Sequence, residues 1–134
     1  MSKYHRTTTK FFDRDCLVAA LNDVGYKTVE VHDTAANLYG YHGDMRADKA
    51  NIIVRRNFIS SAANDLGFKW NAETKSFDAI VSEYDSGKHD SKWFGHLTAK
   101  YAQHKTLKAV KSLGFTLKAA PVRKNGKLVM EVAR

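Results

Sequence analysis

The chain is poor in the residues that staple or punctuate a protein: among 134 residues there is one cysteine, Cys16, and one proline, Pro121. A single cysteine excludes an internal disulfide and any Cys-x-x-Cys redox or zinc word, and it fits a reducing compartment. With one proline and no Gly/Ser-rich tract, nothing marks a linker, so a single domain over residues 1–134 is expected. Apolar runs are short as well. The longest aliphatic stretch, Cys16-Leu17-Val18-Ala19-Ala20-Leu21, falls far below the roughly 20 residues of a membrane span. Met1 to Arg6 lacks the apolar core of a signal peptide, so a cytoplasmic protein with no membrane contact is expected.

Catalytic and cofactor words are missing too. There is no Walker or dinucleotide glycine motif and no His-Glu-x-x-His, and none of the six histidines pairs with another at a spacing of four. No metal and no cofactor is expected. The glycine-flanked basic and aromatic signature of the RNA-recognition fold is also absent.

Most telling is the shortage of negative charge in the last third. Residues 88–134 hold 11 Lys or Arg against only Asp90 and Glu131, while residues 1–87 are nearly balanced. Between Asp90 and Glu131 there is no carboxylate; a stretch with so many cations and no counter-ion of its own repels itself, and a polyanion relieves that repulsion.

What is present reads as a folded α+β domain. Hydrophobic residues at 43% and charged residues at 27% exclude a disordered chain. Tyr4 to Lys10, rich in threonine, suits an opening strand. Asp13 is placed to cap a helix in which Leu17, Ala20, Leu21 and Val24 follow helical spacing, and Gly25 supplies the stop. Thr28–His32 and Ala50–Arg56 read as strands. Gly67–Trp70 and Phe77–Val81 form a hairpin pair about Asn71–Lys75, with Phe68 and Trp70 sharing a buried face. Asn57–Leu66 is an irregular connection or short helical turn. Asp90-Ser91 opens a second helix that ends at Gly114, and Asn125-Gly126 centres a terminal hairpin. The expected order is β-α-β-β-β-β-α-β-β, an antiparallel sheet with both helices on one face.

Several words in this order carry a family likeness: Met1-Ser2-Lys3-Tyr4, Gly40-Tyr41-His42-Gly43, Gly67-Phe68-Lys69-Trp70-Asn71, and Tyr101-Ala102-Gln103-His104 followed by Leu107-Lys108 and Gly114-Phe115. Together they resemble the uncharacterised family known from hypothetical chloroplast open reading frame 35, which also occurs in cyanobacteria, other bacteria and phages. That resemblance implies no established activity. It adds the plastid stroma, or the host cytoplasm for a phage-encoded member, to the possible locations.

Candidate residues follow from charge and from local pattern. Lys92, Lys100, Lys105, Lys108 and Lys111 lie on the second helix, Arg123, Lys124 and Lys127 crowd the terminal hairpin, and Arg55 and Arg56 are placed to join them. Such a set neutralises phosphates with counter-ion release. Tyr39, Tyr41, Phe68, Trp70, Phe77, Tyr84 and Trp93 are available for base stacking. Tyr41 and His42, bracketed by glycines that suit a strand bend or bulge, form with Tyr101 and His104 a possible ligand site. His104 also suits a core histidine bonded to a strand carbonyl. Three classes stay open: a non-catalytic module binding RNA or DNA, an adaptor for an acidic protein partner, and a small-ligand binder or enzyme using the Tyr41-His42 loop and His104.

Overall fold

The computed structural model describes residues 3–114 in full and, beyond them, the strand backbone of 116–117, 122–124, 127–129 and 132–133. The elements in chain order are β1 (Tyr4–Thr8), α1 (Arg14–Asp23), β2 (Glu30–Tyr39), β3 (Met45–Val54), β4 (Leu66–Asn71), β5 (Ser76–Ser82), α2 (Ser91–Ser112), β6 (Thr116–Leu117), β7 (Val122–Lys124), β8 (Lys127–Val129) and β9 (Val132–Ala133). A 3₁₀ turn at Arg56–Phe58 lies between β3 and β4. The five long strands form one antiparallel sheet in the order β1-β5-β4-β3-β2. This is the expected α+β architecture.

Helix ends are set by local chemistry. The Asp13 carboxylate accepts the Cys16 N–H, and Asp90 does the same for Trp93. At the far ends Gly25 (φ +110°) and Gly114 (φ +83°) take the left-handed backbone that stops each helix. Both helices cover the same sheet face, burying Leu17, Ala20 and Leu21 from α1 and Leu97 and Tyr101 from α2 against Ile52, Val54, Leu66, Phe68, Phe77 and Ala79. Cys16 is buried beside them.

The second face is covered by the sheet itself. The β2–β3 hairpin is longer than the sequence suggests, because its polar, edge-exposed residues hide the alternation from 33 to 49. Register shifts between Val31 and Ala36 and between Asn37 and Tyr39 let it bend. Its outer half packs Leu38 and Ala50 against Ile53 and Ile80. The approach is close at Gly67, where an added Cβ would lie 2.7 Å from the Ala50 Cβ. Gly40-Tyr41-His42-Gly43 is the reversal of this hairpin, not a bulge within a strand. The Gly43 N–H reaches the Gly40 carbonyl (2.9 Å), and Gly43 has φ +76°.

Trp70 departs from expectation. Phe68 is fully buried, but Trp70, at the end of β4, is 41% exposed and packs edge-on against Phe77. The expected connection over Asn57–Leu66 is irregular as far as Asp65 apart from its 3₁₀ turn, and Leu66 already begins β4. At the C-terminus β7 pairs with β8 and β6 with β9 on either side of Asn125-Gly126, which makes the expected hairpin in two segments. Among the described residues no helix is long and apolar enough to cross a membrane.

Candidate nucleic-acid interface

Helix α2 carries five of the candidate cations, and the fold divides them. Lys108 Nζ lies 2.6 Å and Lys105 Nζ 3.5 Å from Asp13 Oδ2, the free oxygen of the α1 cap. Burial opposes ionisation of Asp13, but hydrogen bonds from Lys108 and from the Cys16 N–H outweigh it and hold this carboxyl well below the usual range. Lys108 is raised in turn by its bond to Asp13. Lys105 also sits 4.6 Å over the Phe12 ring. These two lysines clamp α2 onto the start of α1.

His104 does the same at the other end of α1. Its Nε2 is 2.6 Å from Asp23 Oδ2, and the side chain is only partly buried. The expected strand carbonyl is not its partner, because α1 and not a strand faces that side of α2. Tyr101, one turn earlier, is buried, and its hydroxyl oxygen accepts the Phe12 and Asp13 N–H groups, each at 3.0 Å. Tyr101→Phe is therefore expected to leave two backbone donors unpaired and lower stability by about 1–3 kcal/mol, measurable by urea denaturation. An unchanged midpoint would show that water replaces the hydroxyl there.

Lys92, Lys100 and Lys111 meet no carboxylate among the described residues. They fall within about 100° of one another around the helix and span roughly 28 Å of its length. Asp90 is the one carboxylate of segment 88–114, and its side chain caps the helix. Exposed Gly95, Ala102, Thr106 and Ala109 leave the outer surface of α2 free of bulk.

The arginines do not join this row. Arg55 binds Glu30 through two bonds (2.8 and 2.9 Å) and Asp65 through a third (2.8 Å). Its hydrogen bonds to Glu30 are the main cause of its raised pKa, and in turn they lower that of Glu30. Arg55 is thus a brace between β2, β3 and the connection before β4, correcting its assignment to an exposed cationic patch. Arg56 lies in the 3₁₀ turn, where its guanidinium reaches the Ser61 carbonyl at 3.4 Å. The side chains of Arg123, Lys124 and Lys127 lie outside the described residues.

Nor do Tyr41, His42, Tyr101 and His104 make one pocket. Tyr101 and His104 are spent on α1 and its approach, while Tyr41 and His42 sit at the β2–β3 reversal. There Tyr41 stacks on Tyr84, with ring centroids 6.2 Å apart and planes 15° from parallel, and His42 covers Tyr41 at 3.8 Å. Tyr41 is 40% and Tyr84 62% exposed. A buried polar network holds this pad. The Tyr41 N–H donates to Asn64 Oδ1, and Asn64 is fixed by Asp85, whose Oδ2 also accepts from Ser82 Oγ. Tyr84 lies in the loop that carries exposed Lys88 and ends at the α2 cap. Nothing in the sequence marks the Tyr41–Tyr84 pair, because contact between residues 43 positions apart leaves no periodic trace.

His89, in the same loop, is a buried titratable group that local pattern does not reveal. Its Nε2 is 2.7 Å from the Tyr26 hydroxyl, and its Nδ1 is buried with no partner among the described residues. Burial pushes it down to about 4, against a smaller opposing effect of Asp85, and pushes the Tyr26 hydroxyl up to about 12. Tyr26 and His89 also pack on Trp93. Their site is a structural joint at the start of α2.

A family described as protein of unknown function (DUF1257) matches residues 20–130. No curated protein and no solved structure matches the chain. The match spans most of the sequence, from within α1 into the C-terminal hairpin, and the chain belongs to that family.

Proposed function

We propose that this member of the family is a non-catalytic module that binds single-stranded RNA or DNA. Phosphates would lie along the α2 flank of Lys92, Lys100 and Lys111, and a base would stack on the Tyr41–Tyr84 pad. The observation that carries this reading is the row of three lysines that meet no carboxylate among the described residues, on a helix whose own acid is used as its cap. Such ammonium groups displace the cations condensed along a nucleic-acid backbone, and the released counter-ions gain entropy. The exposed aromatic pair favours nucleic acid over an acidic protein, since stacking on a base is worth about 1–3 kcal/mol and asks for no particular sequence.

The test is a triple substitution, Lys92, Lys100 and Lys111 to Gln, assayed on a single-stranded oligonucleotide over a salt series. Affinity should fall about 100-fold near 0.1 M salt, and the slope of log affinity on log salt should lose about two, with melting unchanged. Lys108→Gln is the contrasting control: it should lower the melting temperature, because it unclamps Asp13. Retention of the oligonucleotide by the triple variant at wild-type strength would remove the proposal. Recovery of a partner complex that survives nuclease, lost in the same variant, would give the surface to an acidic protein instead.

A further inference from the structure

An open cavity of about 680 Å³ runs along β1, between that strand and the first half of α2. Its floor is Ala79 and Val81 of β5, and its walls are Phe94 and Tyr101 of α2 with Thr7 and Phe11. The two helices cover the sheet only as far as β5, so the side chains of His5 and Thr7 stand exposed on the helix side. β1 is also an edge strand. The Glu83 N–H bonds the Lys3 carbonyl at 2.7 Å, which makes Lys3 and Glu83 a hydrogen-bonded pair. Alternation then turns His5 and Thr7 toward β5 and leaves the backbone N–H and C=O of Arg6 and Thr8 pointing away from the sheet.

Natural sheet edges are blunted by charge, proline, a bulge or a covering segment. Here the guarding charge is withdrawn: Arg6 turns to the opposite face, where its Nε lies 2.6 Å from Asp78 Oδ2. Lys3 and Lys10 stand exposed at the two ends of the edge and meet no carboxylate among the described residues.

From this geometry we infer that β1 and the cavity beside it capture an extended peptide segment of a partner protein, added as a sixth strand. Its main chain pairs with Arg6 and Thr8, every second side chain is apolar and enters the trough, and a carboxylate at each end meets Lys3 and Lys10. Strand addition of this kind takes affinity from backbone hydrogen bonds and specificity from alternate side chains. Charge selects against a second copy of the chain, because pairing β1 with itself would oppose the same cations across the two-fold axis.

The experiment pans the full chain against a displayed library of random nine-residue peptides, then titrates an enriched peptide into ¹⁵N-labelled protein. Enriched sequences should alternate apolar residues and carry Asp or Glu at their ends, and the amides of Arg6 and Thr8 should shift. Thr8→Pro removes an outward N–H that no ladder bond uses, and it should weaken binding at least tenfold with melting nearly unchanged. If that variant does not fold, Thr7→Trp, which fills the trough from an exposed position, should do the same. No enrichment, enrichment of basic peptides, or shifts confined to other surfaces would overturn the inference. So would a dimer in sedimentation that Thr8→Pro dissolves, which would assign the edge to a second copy, or uptake of an apolar dye with no peptide binding, which would assign the cavity to a small molecule.

Discussion

Asp65→Ala is expected to lower stability by about 3–5 kcal/mol, read as a drop in the urea midpoint at unchanged slope. Asp65 is buried and accepts three hydrogen bonds: from the Tyr39 N–H (2.7 Å), the Arg56 N–H (2.7 Å) and Arg55 Nη1 (2.8 Å). Its own backbone N–H reaches the Tyr39 carbonyl, and its carbonyl accepts from the Tyr4 hydroxyl. Removal of the carboxylate strands a largely buried guanidinium and two backbone donors, and the cost of an unpaired buried charge exceeds the worth of the pair that held it. The bent β2–β3 hairpin hangs on this residue, so hydrogen-exchange protection should fall first in residues 36–50. Asp65→Asn keeps the shape but loses the charge, and it should fall between the two. A loss below about 1 kcal/mol for Asp65→Ala would mean that water or Glu30 alone satisfies Arg55.

Acidification from about pH 6.5 to pH 4 is expected to remove about 3 kcal/mol of stability through His89. Its folded value of about 4 lies below the 6.5 of an unconstrained histidine, so over that window the unfolded chain binds the proton and the folded chain does not. Stability from this group is therefore complete above pH 6.5 and lost as pH falls to about 4; each unit of separation is worth about 1.4 kcal/mol. Glu30 and Asp13 have lowered values, so their contributions start to fall near the unfolded 4.5 and 3.8 and are lost mainly further into acid. His89→Phe should flatten the dependence of unfolding free energy on pH in this window, whatever it does to the absolute value. A wild-type chain whose stability is constant from pH 6.5 to 4.5 would show that His89 takes up its proton without leaving the fold.

The parts of the fold legible in the sequence are those decided within a few residues. Asp13 with Gly25, and Asp90 with Gly114, bracket the two helices because capping and the left-handed stop depend only on neighbouring backbone. Phe68 and Leu17 read as core because burial of a large apolar side chain leaves a periodic trace. Trp70 kept that periodicity and lost the burial, since the end of a strand runs out of covering helix. The β2–β3 hairpin was half hidden because one of its strands is a sheet edge, where polar side chains carry no alternation.

The candidate site shows the same division more sharply. Composition and local residue order alone determined that the last third carries excess cations and that the sequence has no cysteine pair, zinc word or nucleotide-loop motif. Which cations are free was decided only by tertiary structure: Asp13 and Lys108, 95 residues apart, cancel each other, and so in part does Lys105. Arg55 disappears into Glu30 and Asp65, whereas Lys92, Lys100 and Lys111 meet no carboxylate among the described residues. Net charge is a sum over residues and survives any folding, but an ion pair is a distance. Distances between remote residues exist only once the chain has closed.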